Sequence, residues 1–594
     1  MTPDPATPHS NGEQHTDRTE RRPHPDRMEG ASHADEPAGS SATDGASPPS
    51  SDATLAADGI AGSARTVALF TAASRCLGLV RDVVCAFFFG AGGLWSAFSI
   101  AFMVPNLARR LFGEGALSAA FIPVLTDTIV RDGRQRGRRL SGSVLTLLAT
   151  VLVGVTVLGC AALLIAFRAL DTGANLEAGD AGASLEAGAS IPVRTLVLQL
   201  SALLLPYMPL ICLVAVLGGM LHVHRRFAAP AAAPLVLNGF IIATVLAGSA
   251  WGHWEGLSLL YAVAAAVLVA GVVQIVLQLW VLSSIRATPI LNRDWGDGDV
   301  RRIMLLMSPM VLGMAAVQIN TLADSLIALV FVDHPGAPAV LYYAQRLYQV
   351  PLGVFAISLA TAIFPLLSRM AADHDRQGLA RVFERGLRMS LFVAVPACVG
   401  LCLTGRSLTQ GIFEIWGGRF GPDDTERVSH ALWFYSLGIP AYAAQHVLVR
   451  TFYAQKISRL PARIAVVMVL LNLTLNLILV QVMDEAGVAL ATSISAAVQA
   501  VWLAVALRRS VPEIRWAPLA GRVLRTVAGS TIMGTVVWLV LQSDALSGGG
   551  GLGGHYAPLV RVFVSTSAGV AVYAMTARAI DRQGLGDLLS PSRR

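Results

Sequence analysis

The chain has 594 residues, of which 54% are hydrophobic and only 14% charged, with a formal net charge of +7 and a mean hydropathy of +0.59. Soluble domains carry about 25% charged residues, so this composition argues against a soluble enzyme and for a polytopic helical membrane protein. A β-barrel would show short segments of alternating polarity, which are absent, and nucleic acid is not needed to explain the positive charge, because the basic residues sit in short loops between apolar runs.

Residues 1–60 carry 11 acidic and 4 basic side chains, so the remainder of the chain is +14. This opening segment is rich in Pro, Ser, Asp, His and Gly. It has too little apolar surface to offset ordering entropy and is expected to be a disordered cytoplasmic tail. It lacks the basic start and short apolar core of a signal peptide. Its histidines, His9, His15, His24 and His33, read as solvated side chains rather than a metal site.

From residue 64 the apolar runs define fourteen predicted spans: 64–90, 95–128, 142–168, 191–221, 229–250, 256–284, 303–332, 338–370, 387–406, 429–454, 462–482, 486–508, 519–542 and 557–580. Several exceed the ~20 residues that a bilayer requires, which implies tilt, kinks or extension beyond the membrane. Alternate loops are rich in arginine, as in "RDGRQRGRR" at 131–139 and "HVHRR" at 222–226, while the intervening loops hold almost none; 407–428, with Arg419 and Arg427, is the partial exception. The positive-inside rule places both termini in the cytoplasm. The six cysteines all lie in apolar runs without zinc-type spacing and read as small hydrophobes.

A weak internal repeat is visible. "AAFIPVL" (119–125) aligns with "TAIFPLL" (361–367) on Pro123 and Pro365, and "LVLN" (235–238) aligns with "VLLN" (469–472). Six spans separate the copies, so both have one orientation, as in transporters with parallel repeats. The expected fold is all-α, with about fourteen transmembrane helices in two six-helix lobes plus two C-terminal helices. The boundaries are 61–284 for the N-lobe, 285–302 for a cytoplasmic linker, 303–508 for the C-lobe, 509–582 for spans 13 and 14, and 583–594 for a cytoplasmic tail.

Charges interrupt the spans where insertion costs about 2.5–3.5 kcal/mol each. Span 1 holds Arg75, Arg81 and Asp82 in "SRCLGLVRD", span 2 holds Arg109, Arg110 and Glu114 in "PNLARRLFGEGALS", span 7 holds Asp324, and span 8 holds Arg346 in "YYAQRLYQVP". Arg75, Gly78 and Asp82 share a helix face within about 60°. Arg110 and Glu114 are spaced to pair. Asp82 and Glu114 can neutralise at most two of the five arginines, so the first and eighth spans bring surplus positive charge into the membrane. Headgroup snorkelling competes as an explanation for Arg81 and Arg110 and is weaker for Arg75, Arg109 and Arg346. Guanidinium groups suit phosphate, so the residues point to a transporter with a central site for an anionic, phosphorylated substrate.

At these residues the chain resembles a known family. "SRCLGLVRDVVCAFFFGAG" followed by "AFMVPNLARRLFGEGALSAAFIPVL" is similar to the paired first- and second-span motif of the MurJ/MviN lipid II flippases, members of the MOP exporter superfamily. The resemblance implies a monomeric, multi-pass protein of the bacterial inner membrane that translocates an undecaprenyl-diphosphate-linked peptidoglycan precursor, lipid II, by alternating access. It implies that Arg75, Arg81, Arg109 and Arg346 hold the diphosphate, that Ser74, Asp82, Asn106 and Glu114 orient them or gate the cavity, and that spans 13 and 14 form a groove for the lipid tail. Some members also have a sodium site, which maps onto Asp324, Asn472, Asn476 and Thr492. Those members have an aspartate where this chain has Asn476, and helix-bridging hydrogen bonds are the alternative role for the asparagines. Acidic residues that the family often carries are Ser96, Gln345 and Gln349 here.

No phosphate loop, HExxH, GxSxG or paired-carboxylate site stands out, so no enzymatic step and no cofactor beyond a coupling ion is expected. Transport would draw on an ion gradient or on the membrane potential, worth about 2.3 kcal/mol per charge per 100 mV. The alternatives are a related exporter of another polyprenyl-linked oligosaccharide, a drug exporter, for which an acidic cavity would be expected, a membrane-embedded transferase, and a scaffold with a signalling tail.

Overall fold

The computed structural model describes residues 51–111, 117–174, 191–543 and 552–580, and all the regular structure among them is helical. Two units cluster separately, Met1–Asp58 and Gly59–Arg594. Of the first, only the helical residues from 51 onward are described, so the expected tail lies mostly outside the described residues, as do Glu114 and the C-terminal tail. Helix begins at Ser51, earlier than the expected tail boundary at residue 60, in a stretch where alanine becomes frequent.

The elements run α1 (Ser51–Phe89), α2 (Gly93–Ala108), α3 (Leu117–Ala174), α4 (Val193–Leu204), α5 (Tyr207–Val223), α6 (Ala228–Ala250), α7 (Gly256–Ser284), α8 (Gly298–Phe331), α9 (Ala337–Pro351), α10 (Ser358–Ala372), α11 (Arg376–Thr409), α12 (Pro422–Leu437), α13 (Ile439–Ala454), α14 (Arg459–Ser510), α15 (Trp516–Gln542), α16 (Leu552–His555) and α17 (Ala557–Ile580). The described residues of the fourteen predicted spans lie almost wholly in helix. α3 holds the end of span 2 and all of span 3, and α14 holds spans 11 and 12, each pair joined where the backbone leaves helical geometry, at Gly133 (φ 85°) and at Asp484 (φ 50°). α4 and α5 form one span bent by 41° beside Pro206. By length and apolar character alone, seven of the described helices can cross a membrane, or eight with this bent pair.

Packing follows the repeat. In the first half α2 lies on α4, α3 on α5, and α7 on both α5 and α6; in the second half α11 lies on α12 and α13, and α14 on α12 and α13. α15 and α17 pack on each other and on α11. α8 and α9 touch both halves, α8 through α3 and α14, and α9 through α2 and α12. The 285–302 linker is laid along α3: Ile290 N–H donates to the Arg138 carbonyl (3.0 Å), and Arg136 pairs with Asp297. A Cβ on Gly142 would lie 1.8 Å from the Ile290 carbonyl oxygen, so only glycine permits this approach.

On the face away from the basic loops, the two halves are sealed together. Arg419 N–H donates to the Phe87 carbonyl at 2.8 Å, and the Asp424 carboxylate accepts from the N–H groups of Ala91 and Gly421, both at 3.2 Å. Ser96 Oγ accepts from Ala339 N–H at 3.1 Å. Gly418, at φ 81°, lets its backbone meet Phe87, where a Cβ would stand 2.3 Å from the carbonyl oxygen. Trp95, Tyr343, Phe413 and Phe420 fill the space behind these bonds with rings 4.9–6.4 Å apart.

Burial raises the Asp424 carboxyl above its ordinary range, with the N–H groups of Ala91 and Gly421 and the charges of Arg427 and His334 acting against the rise. The sealed state therefore binds this proton more tightly than a state in which Asp424 meets water, so falling pH favours the seal and rising pH removes that advantage. Spin labels at His253→Cys and Asp423→Cys should report a larger open population as pH rises through the raised value. Asp424→Asn keeps an acceptor for both N–H groups and should abolish that pH dependence.

Candidate functional site

α1 carries Arg81 and Asp82 side by side, 7% and 2% exposed. Neighbours on a helix diverge by about 100°, yet the long Arg81 side chain folds back. Its Nε and Nη2 donate to Asp82 Oδ1 at 3.0 and 2.6 Å, and Nη1 donates to Asn238 Oδ1 of α6 at 3.0 Å. Arg81 is thus a buried member of the site, and snorkelling is ruled out for it.

Arg346 of α9 comes to the other oxygen, its Nε 3.1 Å from Asp82 Oδ2 at an angle that makes an ion pair without an aligned hydrogen bond. Its side chain is 42% exposed. Tyr342, one turn earlier, joins the set: its hydroxyl donates to Asp82 Oδ1 (2.8 Å) and accepts from Nη2 of Arg81 (2.9 Å) and of Arg346 (3.2 Å), and its ring lies 5.1 Å from the Arg346 guanidinium carbon. One carboxylate serves two guanidinium groups, so the knot keeps one surplus positive charge. Removing one partner of such a buried pair costs about 3–5 kcal/mol.

The remaining predicted arginines lie at or against breaks in regular helix. α9 ends at Pro351, and residues Leu352–Ile357 continue as a π-helical segment. Arg75, exposed, sets its Nη1 3.5 Å from where a Cβ of Gly353 would stand; Ser74 beside it is half-buried. In span 2, residues 109–111 are also π-helical, following Pro105 inside α2. Arg109 Nε donates to Asn106 Oδ1 at 2.8 Å, and Arg110 Nη1 donates to Gln318 Oε1 of α8 at 3.1 Å. Such π segments concentrate at functional sites because they re-aim side chains without ending the helix. The structure therefore brings Arg81, Asp82 and Arg346 into one knot, sets Arg75 against the same span as Arg346, and keeps Arg109 with Asn106 on α2. Sequence reasoning missed Asn238, Tyr342 and Gln318 as partners; the available signal was a polar side chain inside an apolar run.

The second predicted set also converges. Asp324 (α8), Asn472, Asn476 and Thr492 (α14) meet in the second half, with Asn476 Nδ2 donating to Asp324 Oδ1 (2.6 Å), and the Asn472 amide, oriented by its neighbours, donating to Asp324 Oδ1 (3.0 Å) and accepting from Thr492 N–H (3.2 Å). The two knots occupy matching positions in the sequence repeat. The offset of 242 residues that relates Pro123 to Pro365 also relates Asp82 to Asp324, and Asn238 corresponds to Asn472 in the repeat. Arg81 has Ala323 as its counterpart, and the Asn476 amide supplies the donors that the guanidinium supplies in the first half. A sodium ion takes a shell of oxygens. Here the N–H end of Asn476 faces the acceptors, and its Oδ1 is buried with no partner among the described residues. As arranged, this donor set does not fit a sodium ion.

A family model described as lipid II flippase MurJ matches residues 85–549. The chain belongs to this family. Members named probable lipid II flippase MurJ are 34% identical in Vibrio cholerae, over 72% of this chain and 79% of that protein, and 31% identical in Rhizobium meliloti, over 80% and 86%. A solved lipid II flippase MurJ in an inward closed conformation superposes with a TM-score of 0.66 at 25% identity, covering 86% of this chain and 99% of that one. An inward-facing MATE family multidrug resistance transporter of the MOP superfamily superposes at 0.58 with 13% identity, covering 74% of this chain and 95% of that one, which shows the shared fold. Membership makes the chain a multi-pass inner-membrane flippase.

Asn476→Asp would supply the second carboxylate that the Asp324 cluster lacks. Sodium, and not an equal concentration of potassium, should then raise the thermal unfolding temperature of the variant by at least ~2 °C. The parent chain should show no sodium-specific shift.

Proposed function

We propose that the chain carries lipid II from the inner to the outer leaflet of the bacterial cytoplasmic membrane, with Arg75, Arg81, Arg109 and Arg346 receiving the diphosphate. The observation that carries this reading is the Asp82 knot, in which two guanidinium groups from spans 1 and 8 share one carboxylate. An arriving diphosphate offers what Asp82 offers, with more oxygens and more charge. Arg346 holds Asp82 by a poorly aligned contact and is half open, so it can turn to the substrate, while Arg81 stays fixed by Asp82, Asn238 and Tyr342. Asp82 thus keeps the site assembled between cargoes. Ser74 and Asn106 orient Arg75 and Arg109, and Glu114 is assigned to the same work.

Translocation follows when the seal between Phe87–Ala91 and Arg419–Asp424 opens and the opposite side closes, the halves turning about α8 and α9, the helices that touch both. α15 and α17, lying against α11 outside the repeat, receive the lipid tail. Both termini are cytoplasmic, one copy suffices, and no bond of the cargo is made or broken, so the protein is a carrier and not an enzyme. With no fitted ion site, the membrane potential acting on the net charge of site and cargo is the driving force this reading favours. Another polyprenyl-diphosphate oligosaccharide would meet the same arginine chemistry, and the assay below separates it.

In a strain depleted of its own flippase, Arg75→Ala and Arg346→Ala should each fail to restore lipid II at the outer leaflet while the protein still accumulates in the membrane. Full restoration by both variants, or appearance of outer-leaflet lipid II without any copy of this chain, would overturn the assignment. Tyr342→Phe keeps the ring beneath Arg346 and removes the shared hydroxyl. It should lower the translocation rate about ten-fold, as expected from the loss of hydrogen bonds to charged groups.

A further inference from the structure

α15 and α17 stand outside the sequence repeat, and among the described residues neither lies face to face with a helix of the first half. They pack on each other and on α11. Between themselves they meet through small residues: a Cβ on Gly569 would stand 3.0 Å from Val537 Cγ2, and one on Gly529 would stand 3.5 Å from Thr576 Oγ1. Their contact with α11 is fixed at several depths.

At the end of the basic loops, Arg515, the residue before α15, donates its N–H to Glu384 Oε1 of α11 at 2.7 Å, and Glu384 is buried. The rings of Phe383 and Trp516 lie 5.9 Å apart beside this bond. Further along, a Cβ on Gly534 of α15 would stand 2.8 Å from Val399 Cγ1 of α11, so the two helices approach closely there. At the far end, the π-helical residues Gln410–Glu414 that follow α11 meet the start of α17, where a Cβ on Gly411 would stand 2.9 Å from Leu559 Cδ2.

The middle contact is of another kind. Pro396 lies inside α11. It has no N–H, so it cannot give the Phe392 carbonyl, four residues earlier, its usual helical donor. Tyr573 of α17 supplies one. Its hydroxyl donates to that carbonyl at 2.7 Å, and its ring lies 5.1 Å from the Phe392 ring. Inside hydrocarbon no water replaces a lost donor, so parting α17 from α11 would strand a backbone carbonyl. The seal between the halves carries no such penalty, because water meets its backbone groups when they part. We propose that Tyr573 is a positioning residue: by taking the carbonyl that Pro396 frees, it locks α15 and α17 to α11, and the three helices move as one body with the second half. Resting on the reading above that α15 and α17 receive the lipid tail, the tail then keeps one set of protein contacts throughout the cycle, and the first half swings against it while the diphosphate changes sides.

The test uses the full chain in nanodiscs, with its native cysteines replaced by alanine and spin labels read in pairs. Arg406→Cys with Tyr556→Cys, both exposed positions, joins the end of α11 to the start of α17; His253→Cys with Asp423→Cys joins the two halves. As pH is raised or lipid II is added, the second distance should move while the first stays fixed. Equal behaviour of the two pairs would mean that no lock exists. Tyr573→Phe should widen the first distance distribution, lower the thermal unfolding temperature and slow translocation about five-fold. The double variant Tyr573→Phe/Pro396→Ala returns an N–H to the Phe392 carbonyl without restoring the link to α17. Its unfolding temperature should recover, while the wide distribution and the slow translocation persist. Recovery of translocation together with stability would reduce Tyr573 to a structural role and overturn the proposal. A photoreactive polyprenyl diphosphate that fails to label α15 and α17, with the first distance still fixed, would remove the tail assignment alone and leave the lock standing.

Discussion

An ionised carboxylate inside a bilayer has to be met by charge or by donors, and the position of Asp82 is the clearest consequence of that constraint here. It draws Arg81 back along its own helix and Arg346 across from span 8, and Asn238 and Tyr342 close the remaining valences. Spans 1 and 8 are held in register by this one group, and span 5 through the Arg81 that it holds. The same constraint makes the site useful, because the arrangement that neutralises Asp82 leaves guanidinium groups concentrated at one depth with more positive charge than the protein consumes.

The internal repeat shows how far one solution can be varied. Asp324 repeats Asp82, and Asn472 repeats Asn238, but no arginine stands where Arg81 stands. In the second half the carboxylate is met by the side-chain amides of Asn476 and Asn320 instead. Both knots tie the first span of a repeat to its fifth. One keeps surplus charge beside an exposed arginine, and the other is closed on itself. A duplicated scaffold has thus separated into a half that presents charge and a half that is braced without it.

The breaks in regular helix are placed to match. The π-helical turns at 109–111 and 352–357 carry or adjoin Arg109, Arg110 and Arg75, and each follows a proline that weakens the helix it interrupts. The seal between the halves relies on a different device, backbone-to-backbone approach at Gly336 and Gly418, backed by packed rings. Hydrogen bonds between backbones across two halves can part without leaving a buried charge behind, which suits a surface that must open. The arginine knot cannot part so cheaply, which suits a site that must stay assembled.

The amino-acid sequence alone determined the class of fold, where the apolar segments lie, which sidedness to expect and most of the charged residues that meet in the structure. Each follows from a local cost: an apolar run must reach across a bilayer, a basic loop resists crossing it, and an arginine within a span has to be compensated. It could also be read that Asp324, Asn472, Asn476 and Thr492 belong together, through likeness to a family. Only the tertiary structure decided which partners answer which charge. Helical phase set Arg81 well apart from Asp82, yet a long side chain on a packed helix can turn back, and the carboxylate made that turn favourable. Tyr342 and Asn238 became parts of the site because spans far apart in the chain place them within 3 Å of the same guanidinium group. The direction of the Asn476 amide was likewise set by the carboxylate it faces, a property of two helices that neither carries alone.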